Sequence, residues 1–339
     1  MTIQTFIERY RPTLEEELQD LLTAPSPETH NLYGYLRYHM GWADEKLQPL
    51  DQQAGKRLRP IFCLLACETC GGDWQQAIPA AAAVELLHNF SLIHDDIEDG
   101  DTTRRGRPTV WALWGVPQAL NAGDTMYALA YTALLHLTGR GVPAPTVIEA
   151  IRLFSATCMR LTEGQFLDMG FESQADVQPE MYLRMVAGKT AALLASSCAM
   201  GALIAGGTEA QRQFLHDFGH HLGLAFQIQD DVLGIWGDSR VTGKPVGADI
   251  LRRKKTLPVV YGLQQSKPLR ELLSRPDLTP EDAAQAAEWM DRAGCRDWAQ
   301  ERAAEQTTRA LAALDGLNSD TPATNALREL ALQLLERTR

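Results

Sequence analysis

The sequence predicts an all-α fold, on three observations. Apolar residues recur with helical period over long segments, almost no segment alternates like a strand, and turn formers gather between the periodic segments. In chain order, residues 2–23 read as an amphipathic helix ended by the turn-rich "TAPSPETH". Further helices are predicted over 31–50, 60–70, 76–99, 117–138 and 144–172. The series continues over 179–206, 208–236, 256–265, 279–293, 296–316 and 321–337. The breakers "GGDW", "GRGVPAP", "DVQP", "AGGT", "GDSRVTGKPVG" and "SRPDLTP" fall between these segments. No repeat or low-complexity linker is evident, so residues 1–339 read as one domain. Segment 76–99, "QAIPAAAAVELLHNFSLIHDDIED", is apolar nearly all round, which places it at the centre of a bundle.

Composition narrows the partners. A hydrophobic fraction of 45% supports a sizeable core, and a net charge of −11 argues against nucleic acid or an anionic membrane surface. An anionic ligand must then be held by local groups of Lys and Arg. The start, "MTIQTFIERYRPTLEEELQDLL", lacks a basic region followed by an apolar core, so no signal peptide is expected. The most apolar stretch, 190–207, barely reaches membrane-spanning length, is built of small residues and follows Lys189. It reads as a buried helix, and no transmembrane segment is expected. The six cysteines have no disulfide or zinc-site spacing and read as small core residues of a reducing cytoplasm.

Charge is concentrated at a few places. Asp95, Asp96, Glu98, Asp99 and Asp101 close the apolar segment 76–99, and "RRGR" (104–107) follows at once. Asp95 and Asp99, spaced i, i+4, share a helix face. A helix C-terminus is the negative end of the dipole, so acids there need a compensating cation. The device recurs in "LAFQIQDDVLGIWGD", where Gln227, Asp230 and Asp231 share a face. A lone acid pair is most simply a solvated helix end. Two pairs on two apolar helices, each followed by a basic segment, suit Mg2+, which takes hard oxygen ligands and is completed by water and phosphate. The basic segments are "GKRLRP" (55–60), "RRGR" and "TGKPVGADILRRKKT" (242–256), and together they read as a cradle for diphosphate. An EF-hand reading of "DIEDGDTTRRGR" fails because its twelfth position is Arg107, and neither a P-loop nor a dinucleotide-binding glycine turn is present.

The segments "GKRLRP", "LLHNFSLIHDDIEDGDTTRRGRPT", "GQFLD", "GKT", "FQIQDDVLG" and "TGKPVGADILRRKKTLP", in this order over 55–258, resemble the trans-isoprenyl diphosphate synthases, or polyprenyl synthetases. The resemblance implies the all-α terpenoid-synthase bundle with a central cavity, a homodimer, and three Mg2+ ions when substrate is bound. It implies head-to-tail condensation of isopentenyl diphosphate with an allylic diphosphate. By motif, Asp95 and Asp99 correspond to the first metal ligands with Asp96 supporting them, and Asp230 to the second, with Asp231 beside it. Lys56, Arg59, His88 and Arg105 correspond to the isopentenyl diphosphate pocket. Arg104, Lys189, Thr190, Gln227, Lys244 and Lys254 correspond to the grip on the allylic diphosphate, where Lys189 also acts in catalysis. Gln165 and Asp168 correspond to positions lining that site. The second motif is often D-D-x-x-D, whereas here Gly234, with no side-chain ligand atom, holds the last place.

Product length is implied by what lies beneath Asp95. Phe90 stands five positions before it, Ser91 four, Leu87 eight and Val84 eleven. An aromatic residue at the fifth position with a small one at the fourth resembles the geranylgeranyl (C20) type. Farnesyl (C15) and longer polyprenyl products are the alternatives. A class I terpene cyclase shares the implied fold but uses an N-D-x-x-S-x-x-x-E motif, absent here, and needs no second diphosphate pocket. A non-catalytic synthase subunit would be expected to lose an Asp motif or the basic pocket, and neither is lost.

Overall fold

The computed structural model describes residues 2–50, 55, 57–174, 176–237 and 247–336. Lys56 and Lys244 lie outside these residues. In chain order the α-helices are α1 (Ile3–Leu21), α2 (His30–His39), α3 (Leu58–Thr69), α4 (Trp74–Glu98), α5 (Val110–Trp114), α6 (Val116–Leu135), α7 (Ala144–Ser173) and α8 (Pro179–Val186). They continue with α9 (Ala192–Ile204), α10 (Glu209–Trp236), α11 (Ala248–Leu251), α12 (Leu257–Gln265), α13 (Lys267–Leu273), α14 (Pro280–Arg292), α15 (Cys295–Asp315) and α16 (Pro322–Glu336). Among the described residues the only sheet pairs β1 (Thr103–Arg104) with β2 (Arg107–Pro108), antiparallel.

The chain forms two compact units. The first comprises Met1–Ser155, Ser197–Arg212 and Thr321–Ala326, the second Ala156–Ser196, Gln213–Asp320 and Leu327–Arg339. In the first unit α4 packs against α1, α3 and α6. Helix α1 presents Ile3, Phe6, Tyr10, Leu14, Leu18 and Leu21 at helical spacing and buries them. Helix α4 buries the unbroken run Ala77–Leu87, as its all-round apolarity requires. Asp73 caps its start by accepting from the Gln75 N–H at 3.0 Å. Burying side chains such as Val84, Leu86 and Leu87 contributes about 1.5–3 kcal/mol each. The acids at its end therefore ride on a well-anchored helix.

In the second unit, one core cluster gathers Phe171, Tyr182, Val186, Ala191, Leu224, Ile228 and Leu257. A second gathers Ile235, Ile250, Val259, Leu269, Ala283 and Met290. All six cysteines are free, and all but the half-buried Cys70 are buried. The apolar segment Pro179–Ile204 has the length and composition to cross a membrane, but 78% of its most apolar window is buried inside the protein.

Several elements depart from the sequence prediction. The helix predicted over 31–50 ends at His39, because Gly41 adopts φ 84 and its N–H bonds back to Tyr38 O while Trp42 N–H bonds to Arg37 O. This is a Schellman stop, which glycine makes cheap. The helix predicted over 117–138 gives way after Leu135 to a 3₁₀ turn, His136–Arg140. The one predicted over 179–206 is split by a π-helical turn, Ala187–Ala191. Helices α5, α11 and α13 and the β1–β2 pair were not predicted. Helix α13 is started by Ser266, whose hydroxyl accepts from the Leu269 N–H at 3.2 Å.

Candidate active site

The first acid motif is built by the end of α4 and the hairpin after it. Helix geometry persists to Asp99, whose N–H donates to Asp95 O at 2.8 Å, so both side chains share a face. Asp95 is half-buried and Asp99 exposed, whereas Asp96 is only 1% exposed. Two positive-φ residues, Arg105 (φ 53) and Gly106 (φ 74), form the turn between β1 and β2, the primed geometry that suits a two-residue hairpin. The turn brings Arg104 back to the helix, where its Nε donates to Asp96 Oδ1 at 2.6 Å. Burial pushes Asp96 up to about 6 against the pull of Arg104. Arg107 does not join this group. It lies 4.1 Å over the Tyr38 ring and donates to Ala43 O at 2.7 Å, pinning the hairpin.

The "GKRLRP" segment divides its arginines between two tasks. Arg57, 4% exposed, is locked by Glu15 at 3.0 Å and Glu85 at 2.8 Å, so it belongs to the fold. Arg59 instead lies 3.1 Å from His88 Nε2, and its own Nε is buried with no hydrogen-bond partner among the described residues. Burial, with the positive charges of Arg59 and Arg105, holds His88 well below the ordinary histidine value. Arg105 reaches the same neighbourhood, its Nη1 lying 3.7 Å from the point where a Cβ on Gly55 would stand. His39, which the sequence did not single out, also faces these cations. Burial, then Arg105, Arg104 and Arg57, push it down to about 3. The result is a pocket of positive charge with neutral imidazoles, an arrangement that favours a polyanion.

The second acid motif lies on α10 in the second unit. Asp230 is exposed, and Asp231 is 3% exposed. Asp231 accepts from the Tyr182 hydroxyl, from the Leu257 N–H at 3.1 Å and from Gln227 Nε2 at 3.1 Å. Thr190 Oγ1 donates to Gln227 Oε1 at 2.9 Å, extending the chain of bonds. Burial nevertheless pushes Asp231 up to about 7. Lys189 and Thr190 sit on the π-helical turn, and such turns recur at functional sites. Two glycines let this turn meet α7: a Cβ on Gly164 would lie 2.2 Å from Lys189 N, and one on Gly188 2.6 Å from Arg160 O. That approach allows the Lys189 ammonium to pair with Asp168. Gln165, also on α7, is buried. Lys254 is exposed, its N–H donating to Asp249 O at 2.9 Å.

Each unit thus assembles its own share of the expected residues. The first holds Asp95, Asp96, Asp99 and Arg104 beside one another, with Arg59, His88 and Arg105 grouped at "GKRLRP". The second holds Asp168 with Lys189, and Thr190 with Gln227 and Asp231. In each unit the carboxylates suit a hard divalent cation, half-buried Asp95 and exposed Asp99 in the first and exposed Asp230 in the second, without thiolates. Asp96 Oδ2 is buried without a hydrogen-bond partner among the described residues. Among the described residues no three His, Cys, Asp or Glu side chains converge as a closed cage, so an ion held by either motif would take much of its shell from water and phosphate.

Below Asp95 the first unit holds a row of aromatic rings in tilted and edge-on contact. Phe90 lies 4.6 Å from His94 and 5.0 Å from Tyr127, centroid to centroid. Tyr127 meets Tyr131 at 5.3 Å, and Tyr131 meets Phe154 at 5.1 Å. Ser91 turns its hydroxyl to His88 O at 2.8 Å, and Leu87 and Val84 are fully buried. Tyr182, Glu85 and the Tyr127–Tyr131 pair escaped the sequence reading, since no motif marks them.

Comparison with known proteins places the chain. The family model described as polyprenyl synthetase matches residues 41–290. A geranylgeranyl diphosphate synthase of Mycobacterium tuberculosis is 46% identical over 282 residues, covering 82% of this chain and 79% of that protein. A (2E,6E)-farnesyl diphosphate synthase of the same organism is 42% identical over 309 residues, covering 88% and 84%. Among solved structures, a polyprenyl synthetase from Streptomyces coelicolor superposes with TM-score 0.90 at 36% identity, covering 98% of this chain and 99% of that one. A geranylgeranyl pyrophosphate synthase from Corynebacterium glutamicum, complexed with isoprenyl diphosphate and magnesium, gives 0.84 at 28% identity, covering 99% and 100%. The chain belongs to the polyprenyl synthetase family and has its all-α isoprenyl synthase fold.

Proposed function

We propose that the chain, acting as one catalytic domain, condenses isopentenyl diphosphate head-to-tail with an allylic diphosphate, uses Mg2+, and yields chiefly geranylgeranyl diphosphate. Its family makes it a prenyltransferase, and its farnesyl and geranylgeranyl synthase relatives make it a short-chain one. The observation that carries the finer reading is Arg59, a guanidinium with a buried, unpartnered donor, set against neutral His88 and near Arg105. A cyclase ionising one diphosphate has no use for this second anion pocket, whereas a condensing enzyme does.

The acids Asp95, Asp99 and Asp230 hold the divalent ions, three of them with substrate bound. Bound there, such ions neutralise the allylic diphosphate as a leaving group. Lys189, held by Asp168, and Thr190, Gln227, Arg104 and Lys254 add positive charge and hydrogen bonds to the same group. Lys56 and Lys244 have the same assignments by motif. Arg59, Arg105 and His88 fix isopentenyl diphosphate so that its double bond meets the allylic carbon. No side chain here is an obvious final base, so the released diphosphate is the natural proton acceptor.

Product length is set by Phe90, backed by Tyr127, with small Ser91 leaving the position above it open. The test is product analysis with labelled isopentenyl diphosphate and C5, C10 and C15 primers in Mg2+, without added partner protein. C20 is the expected main product, and Phe90→Ala is expected to lengthen it. A C15 limit in the wild type would favour the farnesyl reading, and an unchanged product from Phe90→Ala would remove Phe90 as the floor. Two further assignments belong to this proposal. A homodimer is supported by the exposed Ile148, Met159 and Phe166 (60%, 60% and 75%), which recur at helical spacing along α7. A cytoplasmic location is supported by six free cysteines.

A further inference from the structure

The proposed chemistry uses the C-terminal half of α10, and the other half carries three histidines, His216, His220 and His221. His216 and His220 are spaced i, i+4 and share a helix face. Their rings lie parallel, 6° apart in plane, with centroids separated by 6.3 Å. Histidines at this spacing let a helix hold a transition ion, each imidazole supplying one nitrogen.

The neighbours of each ring set what it can do. Asp217 Oδ1 accepts from Gln213 Nε2 at 2.8 Å and lies 3.2 Å from His216 Nδ1. A carboxylate there holds the proton on Nδ1 and leaves the lone pair on Nε2, the tautomer and orientation of a ligating histidine. The His216 side chain is 29% exposed, which gives an ion a way in. His220 is half-buried, and neither ring nitrogen has a hydrogen-bond partner among the described residues. Burial, then His221 and His216, push it down to about 4, with Asp217 opposing the shift and Arg160 adding to it. The ring is therefore neutral, as a ligand must be. His221 is engaged elsewhere, its Nδ1 lying 2.8 Å from Gln306 Oε1 on α15. The backbone beneath the pair is held by close packing, since a Cβ on Gly219 would stand 2.6 Å from Leu194 O on α9. Phe218 and Leu222 beside it are fully buried.

We propose that His216 and His220 form a binding site for an imidazole-seeking divalent ion of the Zn2+ class, separate from the acids assigned to Mg2+. Imidazole suits Zn2+, whereas Mg2+ takes oxygen ligands. His220 precedes Asp230 by ten positions, about 15 Å along a helix, so the two sites share no ligand. Among the described residues no third His, Cys, Asp or Glu converges on the pair, so water completes the shell and the site is an open one.

Calorimetric titration of Zn2+ into the full chain, in excess Mg2+, tests it, each variant first being checked for an unchanged melting temperature without Zn2+. His216→Gln and His220→Gln are each expected to weaken the tightest Zn2+ binding by about tenfold or more. Asp217→Ala keeps both rings and is expected to weaken it about tenfold, a second reading should a histidine variant unfold. His221→Gln removes a ring that serves Gln306 and is expected to stay within about threefold of wild type. Asp230→Ala is expected to bind Zn2+ as the wild type does. Wild-type affinity in the folded His216, His220 and Asp217 variants, or an equal loss in His221→Gln, would overturn the inference. Loss in Asp230→Ala alone would also overturn it, because the ion would then belong to the acids.

Discussion

The two acid motifs solve one problem by different means. Each contains a buried carboxylate that turns inward, Asp96 in the first unit and Asp231 in the second, while neighbours Asp95, Asp99 and Asp230 remain half-buried or exposed. Asp96 is held by a cation, Arg104 at 2.6 Å, and burial leaves it at about 6. Asp231 is held by neutral donors alone, the Tyr182 hydroxyl, a backbone N–H and an amide, and burial carries it to about 7. The inward acid is thus a bracket that fixes the helix face on which the outward acid stands. A cationic bracket depends on one partner, whereas a bracket of dipoles shares its load over three.

That difference can be broken or sharpened by substitution, starting with the largest effect. Arg104→Gln strands a buried carboxylate and is expected to cost about 2–3 kcal/mol of stability in urea titration at pH 7. This falls short of the cost for a fully buried pair because the Arg104 side chain is 29% exposed. Tyr182→Phe leaves Leu257 N–H and Gln227 in place and is expected to cost about 1 kcal/mol. Equal costs, or a larger one for Tyr182→Phe, would break the distinction. At pH 7 the smallest effect belongs to His39, among the cations of the first unit, because it emerges only on acidification. Its value is depressed from 6.5 to about 3, so its contribution is intact above pH 6.5 and is lost as pH falls from there toward 3. His39→Gln is expected to make that acid limb shallower by at most about 1.4 kcal/mol per pH unit. An identical limb in the variant would show that another group governs acid sensitivity.

The sequence disclosed the parts of this arrangement that depend on periodicity and local spacing. Helix α4 was legible because it is apolar on all sides and stops in acids, and α10 because its acid pair repeats that pattern. The β1–β2 hairpin was not, since two-residue strands carry no alternation and only Arg105–Gly106 at the turn hints at it. Nor was the π-helical turn under Lys189, where Gly164 and Gly188 pack closely. The two arginines of "GKRLRP" look alike in sequence. The family resemblance singles out Arg59, and the approach of Glu15 and Glu85, distant along the chain, gives the physical reason that Arg57 is structural. The sequence also ran α2 past Gly41, where positive φ stops it.

The central claim is that both acid motifs act on one metal-bound diphosphate. The most direct measurement is calorimetric titration of an unreactive allylic diphosphate analogue in Mg2+ with wild type, Asp95→Ala and Asp230→Ala, each checked for an unchanged melting temperature without ligand. Either substitution is expected to weaken binding by about two orders of magnitude, with turnover falling at least as far. A correctly folded Asp95→Ala or Asp230→Ala protein that binds the analogue as the wild type does would contradict it.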